Sequence, residues 1–474
     1  MNQKSPQLLK THLLIVFLMA FLSCTPPKSL FKIEGSPTLI RKINTIIESA
    51  GIDLNMGIKI VSLNDDKTLY AYNSQKLLMP ASTNKLYTCA AALHFLKNDY
   101  KFQTKILKNN KNVILKGGGD PDLKIEKLDS LAMIVSKNIS KIDTLFFDDT
   151  MIDSMNYGEG WMWDEGPWWY AAPIGGLSVN DNCIDFYVKP GKLGNACQID
   201  YYPKTSYIKI ENHSRTVNDT IDFQKLKIER DWVSNKNIFT VTGEILDTTD
   251  LDTLYRNIYD PSLFTATIFK ELLEDNGTKV RYLSKKPQDL SKYNTLATHL
   301  SDSLLISAIN LMNESDNLTA ELFVKLMGAM DTIPGTWNNG IDSIKSFLSR
   351  EVEIDTSQIK LADGSGVSRY TLTSSDQLIS LLTWVYKSQY KNDFISTLPG
   401  GGWPKSTLEK RLVKEGDKVR AKTGGLSGVR NLAGYIESSR YGPVAFSILM
   451  NGYIGSSSKY RHVQNQIVKS LIYD

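Results

Sequence analysis

From about residue 83 to 96 the chain carries almost no charge after Lys85, and Ala90-Ala91-Ala92-Leu93 lies at the centre of the stretch. A helix apolar on every side is a buried helix. It must therefore be a central element, with Ser82 at its N-terminus and other layers packed around it. Two strand patterns precede it, at 57–63 and 68–72, with the polar turn 64–67 between them. Three more stand near the C-terminus, at 418–423, 431–436 and 443–450, and an amphipathic helix pattern follows from 460 to 472. Helical patterns at 261–276, 302–313, 318–330, 341–352 and 374–386 lie between the two groups. The expected fold class is α+β: one antiparallel sheet, closed by both ends of the chain and flanked by helices.

The texture changes between residues 102 and 257. Short β-rich runs alternate there with Asn, Asp, Gly and Lys turns, which reads as a large, mostly β insertion. The expected organisation is a signal segment at 1–23, a tether at 24–40, a main body at 41–98 and 258–474, and an inserted β-rich part at 99–257. With 42% hydrophobic and 22% charged residues, the chain can build a packed core. The net charge of +4 is spread along the sequence and gives no basis for a nucleic-acid partner.

The N-terminus reads as an export signal. Lys4 and Lys10 precede the apolar run from Leu13 to Leu22, which is short for a membrane span and suits a signal peptide. Cys24, directly after Phe21-Leu22-Ser23, resembles a bacterial lipobox and is the expected lipidation site, giving a membrane contact through a lipid anchor. Ordinary cleavage with Cys24 incidental is the plainer alternative. Of the other cysteines, Cys183 and Cys197 share the middle region and are positioned in sequence to pair in an oxidising compartment, whereas Cys89 falls on the apolar helix. The five histidines form no metal-binding cluster, so no metal or other cofactor is expected.

Three short motifs carry the chemistry: Ser82-Thr83-Asn84-Lys85, Ser315-Asp316-Asn317 and Lys422-Thr423-Gly424. Ser-x-x-Lys also occurs at Ser29, Ser357, Ser388 and Ser456, so no single motif decides anything; the ordered triple in its local contexts does. Ser82 and Lys85 are three apart on a helix and share a face. A serine hydroxyl needs a base, and a lysine serves as one only when neutral; burial and a second cation, naturally Lys422, both favour the neutral form. Ser315 is the expected proton shuttle to a leaving amine, and Asn317 the expected contact to a substrate peptide group. Taken alone, Ser315-Asp316-Asn317 is explained in part by helix N-capping. Lys422 and Thr423, on a strand, are expected to bind a terminal carboxylate, while glycine lets a ligand lie close. The backbone N–H groups of Ser82 and Gly425 are the candidate oxyanion hole.

This motif set resembles that of penicillin-binding proteins and class A β-lactamases. Further segments sharpen the likeness: Gly117-Gly118-Gly119-Asp120-Pro121, Gly160-Trp161-Met162-Trp163-Asp164, Tyr170-Ala171-Ala172-Pro173, Asp363-Gly364-Ser365-Gly366-Val367-Ser368-Arg369, and the run from Lys422 to Gly434. From about residue 40 onward the chain resembles the D-alanyl-D-alanine carboxypeptidase/endopeptidase family, the class C low-molecular-mass penicillin-binding proteins of peptidase family S13. The long interval between Ser82 and Ser315 fits that family's inserted subdomains. The resemblance implies a serine-β-lactamase/transpeptidase-like domain. It also implies hydrolysis of peptidoglycan stem peptides through an acyl-enzyme, penicillin binding, and a periplasmic location. Gly425 stands where many relatives have Thr or Ser, and Tyr370 where Asn is usual.

Two rival readings remain at this stage. A β-lactamase would need a deacylating group, and no Glu-x-x-Leu-Asn motif is present. A silent wall-binding or penicillin-sensing lipoprotein would not need an intact Ser82, Lys85, Ser315, Asn317 and Lys422. The aromatic cluster at Trp161, Trp163, Trp168, Trp169 and Tyr170 reads as core packing. Gly400-Gly401-Gly402 reads as a loop bordering the cleft, and Ser178-Val179-Asn180 as a structural decoy for the second motif.

Overall fold

A computed structural model describes residues 33–473 apart from 53, 287 and 288. The signal segment and Cys24 lie outside the described residues.

The strands read at the two ends of the sequence do form one sheet. Its order is Ile33–Gly35, Thr68–Tyr72, Asn55–Ser62, Gly442–Asn451, Val429–Ser438, Val419–Leu426, and every neighbouring pair is antiparallel. The central strand Gly442–Asn451 joins the two chain ends, pairing Phe446 with Ile60 on one side and Gly434 on the other. Helices Pro37–Ser49 and Ser458–Ile472 cover one face, burying Leu39, Ile43, Ile467 and Leu471 against Ile58, Leu432 and Phe446. The other face carries an all-helical layer, and the expected central helix, Lys85–Phe95, lies inside it. Every residue from Lys85 to Leu93 is buried. Helices Leu304–Asn313, Asn317–Ala329, Trp337–Arg350 and Ser375–Lys387 share its core. The helix is short of charge because it has no solvent face.

The inserted part begins at the strand Gln103–Asn109 and is mostly β, with a helix, Ile125–Asn138, that buries Leu128, Leu131, Ala132 and Val135 at helical spacing. It extends further than the sequence reading had it. Strands Lys279–Lys285 and Asn294–Leu300 are the two edges of its five-stranded sheet, around Lys141–Asp148, Asn112–Lys116 and Gln103–Asn109. Helix Pro261–Asp275 packs into the same core through Phe264, Ile268 and Phe269. The return to the main body, expected at residue 258, therefore falls just before Leu304. The boundary was misread because Pro261–Asp275 looks like any other amphipathic helix; only its partners assign it. Two three-stranded sheets and one two-stranded sheet complete the insertion among the described residues.

Cys183 and Cys197 are both buried and both free. Cys183 opens the strand Cys183–Lys189, and the antiparallel register sets Lys189 opposite Gln198. Cys197 thus lies at the far end of the hairpin, about 20 Å away at the usual rise per residue. A disulfide needs Cα atoms within about 7 Å. Shared region in sequence was no guide to register.

Candidate active site

The nucleophile turn is held from three sides. Ala81–Asn84 forms a 3-10 turn leading into the helix Lys85–Phe95. Ala81 adopts φ +46°, a left-handed conformation uncommon outside glycine, immediately before Ser82. Asn431 fastens the turn to the sheet, its Nδ2 donating to the Met79 and Pro80 carbonyls at 2.9 and 2.7 Å. Asn84 fastens it to the loop at 363–368, donating to the Asp363 and Gly364 carbonyls. Gly424 allows the strand to pass close by, since a Cβ there would sit 2.6 Å from the Pro80 carbonyl oxygen. A Cβ on Gly366, at φ +81°, would meet the Ala81 carbonyl oxygen at 2.0 Å. The glycine of the third motif therefore serves the protein's own backbone as well as any ligand.

Lys85 Nζ lies 3.2 Å from Ser82 Oγ and donates to Asn317 Oδ1 at 2.6 Å and the Ser365 carbonyl at 2.8 Å. The lysine is fully buried, and burial brings its pKa down to about 8, opposed by the negative charges of Glu321, Asp316 and Asp363. Of the two causes expected, burial and a second cation, burial is the one that lowers it. Lys422 is also fully buried and is pulled well below the ordinary lysine value, first by burial and then by the charge of Lys85. Its Nζ donates to Ser315 Oγ at 2.8 Å.

The second motif caps a helix and also sends two side chains to the cavity. Asp316 caps the helix Asn317–Ala329, accepting from the N–H groups of Leu318 and Thr319 at 3.1 and 2.7 Å. Ser315, held at φ +67°, and Asn317 turn the other way, into the cavity. The expected free amide of Asn317 is however engaged at both ends: Oδ1 receives Lys85, and Nδ2 donates to the Tyr170 carbonyl at 2.6 Å. It orients the lysine and ties the insertion to the helix.

Ser82, Ser315, Asn317, Thr423 and Gly425 line one cavity of about 450 Å³. Neither ammonium lines it; Lys85 stands behind Ser82 and Lys422 behind Ser315. The far wall comes from Trp169, Tyr170 and Glu165 of the insertion and from Arg369. This corrects the core-packing expectation for Trp163 and Trp169, 72% and 48% exposed, whereas Trp161 packs against the core as expected and donates to Asp363 Oδ2 at 3.0 Å. Gly400 bridges to Arg420, and Gly401 packs against the Leu412 carbonyl, so this glycine run does not line the cavity. Ser178 is buried and donates to the Gly175 carbonyl, as a structural residue does.

Sequence reasoning missed the support under Lys85. Glu321 is buried and accepts from the N–H groups of Gly364 and Ser365 and from Trp337 Nε1 at 2.8, 2.7 and 2.7 Å. Asp363 accepts from Gly366 and Ser368 N–H. Burial lifts both carboxyls, Glu321 to about 7. These hydrogen bonds shape the loop whose Ser365 carbonyl receives Lys85. Asp363 stood inside a segment that carried the family resemblance, but Glu321, bonded to backbone more than forty residues away, leaves no local signal.

Residues 39–472 match the D-Ala-D-Ala carboxypeptidase 3 (S13) family. The chain belongs to that family. It is a serine-type D-Ala-D-Ala carboxypeptidase, a hydrolase. It is 30% identical over 440 residues to the D-alanyl-D-alanine carboxypeptidase of Actinomadura sp. (strain R39), covering 87% of this chain and 81% of the relative. It is 28% identical to the D-alanyl-D-alanine carboxypeptidase DacB of Haemophilus influenzae over 84% of this chain and 86% of that protein. The fold matches the crystal structure of penicillin binding protein 4 (dacB) from Haemophilus influenzae with a TM-score of 0.81 at 25% identity, covering 91% of this chain and 99% of that one. A structure of that relative complexed with a β-lactam matches with a TM-score of 0.75. Among the described residues no helix is long and apolar enough to cross a membrane.

Proposed function

We propose that the enzyme removes the terminal D-alanine of peptidoglycan stem peptides through an ester on Ser82. The observation that carries this is the meeting of the three motifs at one cavity, with Lys85 3.2 Å from Ser82 and Lys422 2.8 Å from Ser315. Neutral Lys85 takes the Ser82 proton as Oγ bonds to the D-Ala carbonyl carbon. The N–H groups of Ser82, at a helix start, and Gly425 receive the developing oxyanion. Lys422 occupies a lone pair of Ser315 Oγ, which leaves the Ser315 proton for the departing nitrogen; Lys85 resupplies it. The C–N bond breaks, D-alanine leaves, and water hydrolyses the ester. The terminal carboxylate meets the hydroxyls of Thr423 and Ser315, with the buried charge of Lys422 behind them. A carboxylate supplies a countercharge, which favours the ammonium form of Lys422.

A β-lactam offers the same amide and carboxylate, so penicillins acylate Ser82 and stall there; the β-lactam complex of the Haemophilus influenzae relative supports this. Work on the cell wall places the enzyme outside the cytoplasm, reached through the 1–23 signal. Cys24 is the proposed lipid attachment point, supported by its position directly after the apolar run; a mature protein without an N-terminal acyl mass would refute that anchor. Digestion of purified peptidoglycan followed by mass analysis tests the function. Loss of terminal D-alanine from pentapeptide stems is expected, and unaltered muropeptides would contradict it.

A further inference from the structure

The turn Trp163–Glu165 faces two ways. Glu165 lines the catalytic cavity, while Trp163, two residues earlier, stands in solvent at its rim. The setting of that exposed ring is built. The ring of Trp232 lies 5.5 Å from it, tilted by 32°. Trp232 comes from a tight turn between strands Lys227–Arg230 and Ile238–Thr242, closed by the Asn235 N–H donating to the Trp232 carbonyl at 3.1 Å. It rests on Gly166, where a Cβ would meet the ring at 2.3 Å. Buried Arg230 pins the two segments together, donating from Nη2 to the Gly166 carbonyl at 3.3 Å. Met162 and Val233, next to the two tryptophans in sequence, are exposed as well. Among the described residues no cation lies over Trp163, whereas Trp168 carries the Arg256 guanidinium over its ring at 4.4 Å.

A pre-set apolar patch at the mouth of a cleft marks a binding surface. Its place relative to the cavity says what reaches it. The proposed mechanism seats the leaving carboxylate at Thr423, so the acyl part of the substrate runs on to the opposite wall, formed by Trp169 and Tyr170. A stem peptide hangs from a sugar strand, and four residues separate that sugar from the bond that releases D-alanine. Four extended residues span about 14 Å, so the sugar lies just outside the cavity. A pyranose ring offers a flat patch of C–H bonds whose weakly positive hydrogens suit the negative face of an indole. Asp164 and Asn235, exposed on the same two turns, supply acceptors and a donor for sugar hydroxyls.

We propose that Trp163, backed by Trp232, is a sugar-binding platform that stacks on a pyranose ring of the glycan strand carrying the stem peptide. The inference rests on the acyl-enzyme reading above and gives it a substrate preference: stems still attached to glycan over free peptides. The bond chemistry is unchanged. Trp163 touches no reacting atom and acts by holding the strand at the rim. Trp232 and Gly166 act one step further back, by fixing the angle at which the Trp163 ring is presented.

The test compares one pentapeptide stem in two forms, free and carried on its disaccharide. Trp163→Ala is expected to raise KM for the disaccharide form so that kcat/KM falls about tenfold, with kcat, D-alanine release from the free peptide and penicillin acylation unchanged. Trp163→Phe keeps an aromatic face and is expected to restore most of the loss. Soluble glycan strands stripped of peptide are expected to shift the tryptophan fluorescence of the wild-type enzyme and not that of Trp163→Ala. Equal slowing of both forms would assign Trp163 to the peptide or to the fold, and a wild-type enzyme that treats the two forms alike would leave the ring without a sugar; either result overturns the platform. A wild-type enzyme that neither releases D-alanine from either form nor takes up penicillin would instead overturn the acyl-enzyme reading beneath it, while the fluorescence shift would still report on the platform.

Discussion

A lysine three positions after a serine is a base only while its amine is uncharged. Lys85 meets that condition through burial, which sets its pKa near 8. The neutral fraction grows as pH rises through that value. Acylation by a β-lactam should therefore accelerate from pH 6 to 9 with its midpoint near pH 8, read by stopped-flow under single-turnover conditions. Lys85→Ala should slow acylation by roughly 10²–10⁴-fold, the usual worth of a positioned proton carrier, and remove that pH dependence. A flat wild-type profile would count against Lys85 as the base. Legibility at this scale was good for the groups proposed to do chemistry and poor for the groups that hold them. Ser82, Lys85, Ser315 and Lys422 lie in short motifs. Glu321 and Asn431 act by hydrogen-bonding backbone far away in sequence, and Asn317, read as a substrate contact, spends both ends of its amide inside the protein.

Two elements converge on the nucleophile turn, and each has a weak point. Asp316 caps the helix Asn317–Ala329 and thereby fixes Ser315 and Asn317 on either side of it. Asp316→Ala should cost about 1 kcal/mol, the ordinary worth of an N-cap, seen as a lower midpoint in urea. Acylation should slow as well, because both neighbours lose their setting; an unchanged acylation rate would mean the cap is purely structural. The strand Val419–Leu426 passes the turn at Gly424, where a methyl group would strike backbone 2.6 Å away. Gly424→Ala should destabilise by about 1–3 kcal/mol, as overpacking does, and should slow acylation by more than the loss of folded protein accounts for. Denaturation and labelling on one preparation separate the two effects. The strands and helices of the main body were legible because period and burial agree there. The helix Ile125–Asn138 was not, because its surroundings read as β, and the cysteine pairing failed because register is set by partners.

At the scale of the whole molecule, the insertion is a wall of the active site. Tyr170 receives Asn317 through its carbonyl, and Trp169 stands half-exposed over the cavity. An apolar face left open at a cleft is what a peptide substrate would cover. Trp169→Ala should cut kcat/KM for stem peptides about tenfold while changing acylation by a small β-lactam little, since only the longer ligand reaches that wall. Equal loss on both would assign the tryptophan to folding. The insertion's reach to just before Leu304 was invisible in sequence, because helix Pro261–Asp275 is amphipathic whichever core it joins. Its aromatic residues were assigned to a core for the same reason: a tryptophan looks alike in either setting.

The central claim is that one serine, far in sequence from the residues that serve it, is where the chemistry happens. Incubation with benzylpenicillin followed by intact-mass measurement and peptide mapping tests it most directly. The wild-type enzyme should gain a single penicilloyl group on the peptide containing Ser82, and Ser82→Ala should gain none. An adduct that persists in Ser82→Ala, or maps to another peptide, would contradict it.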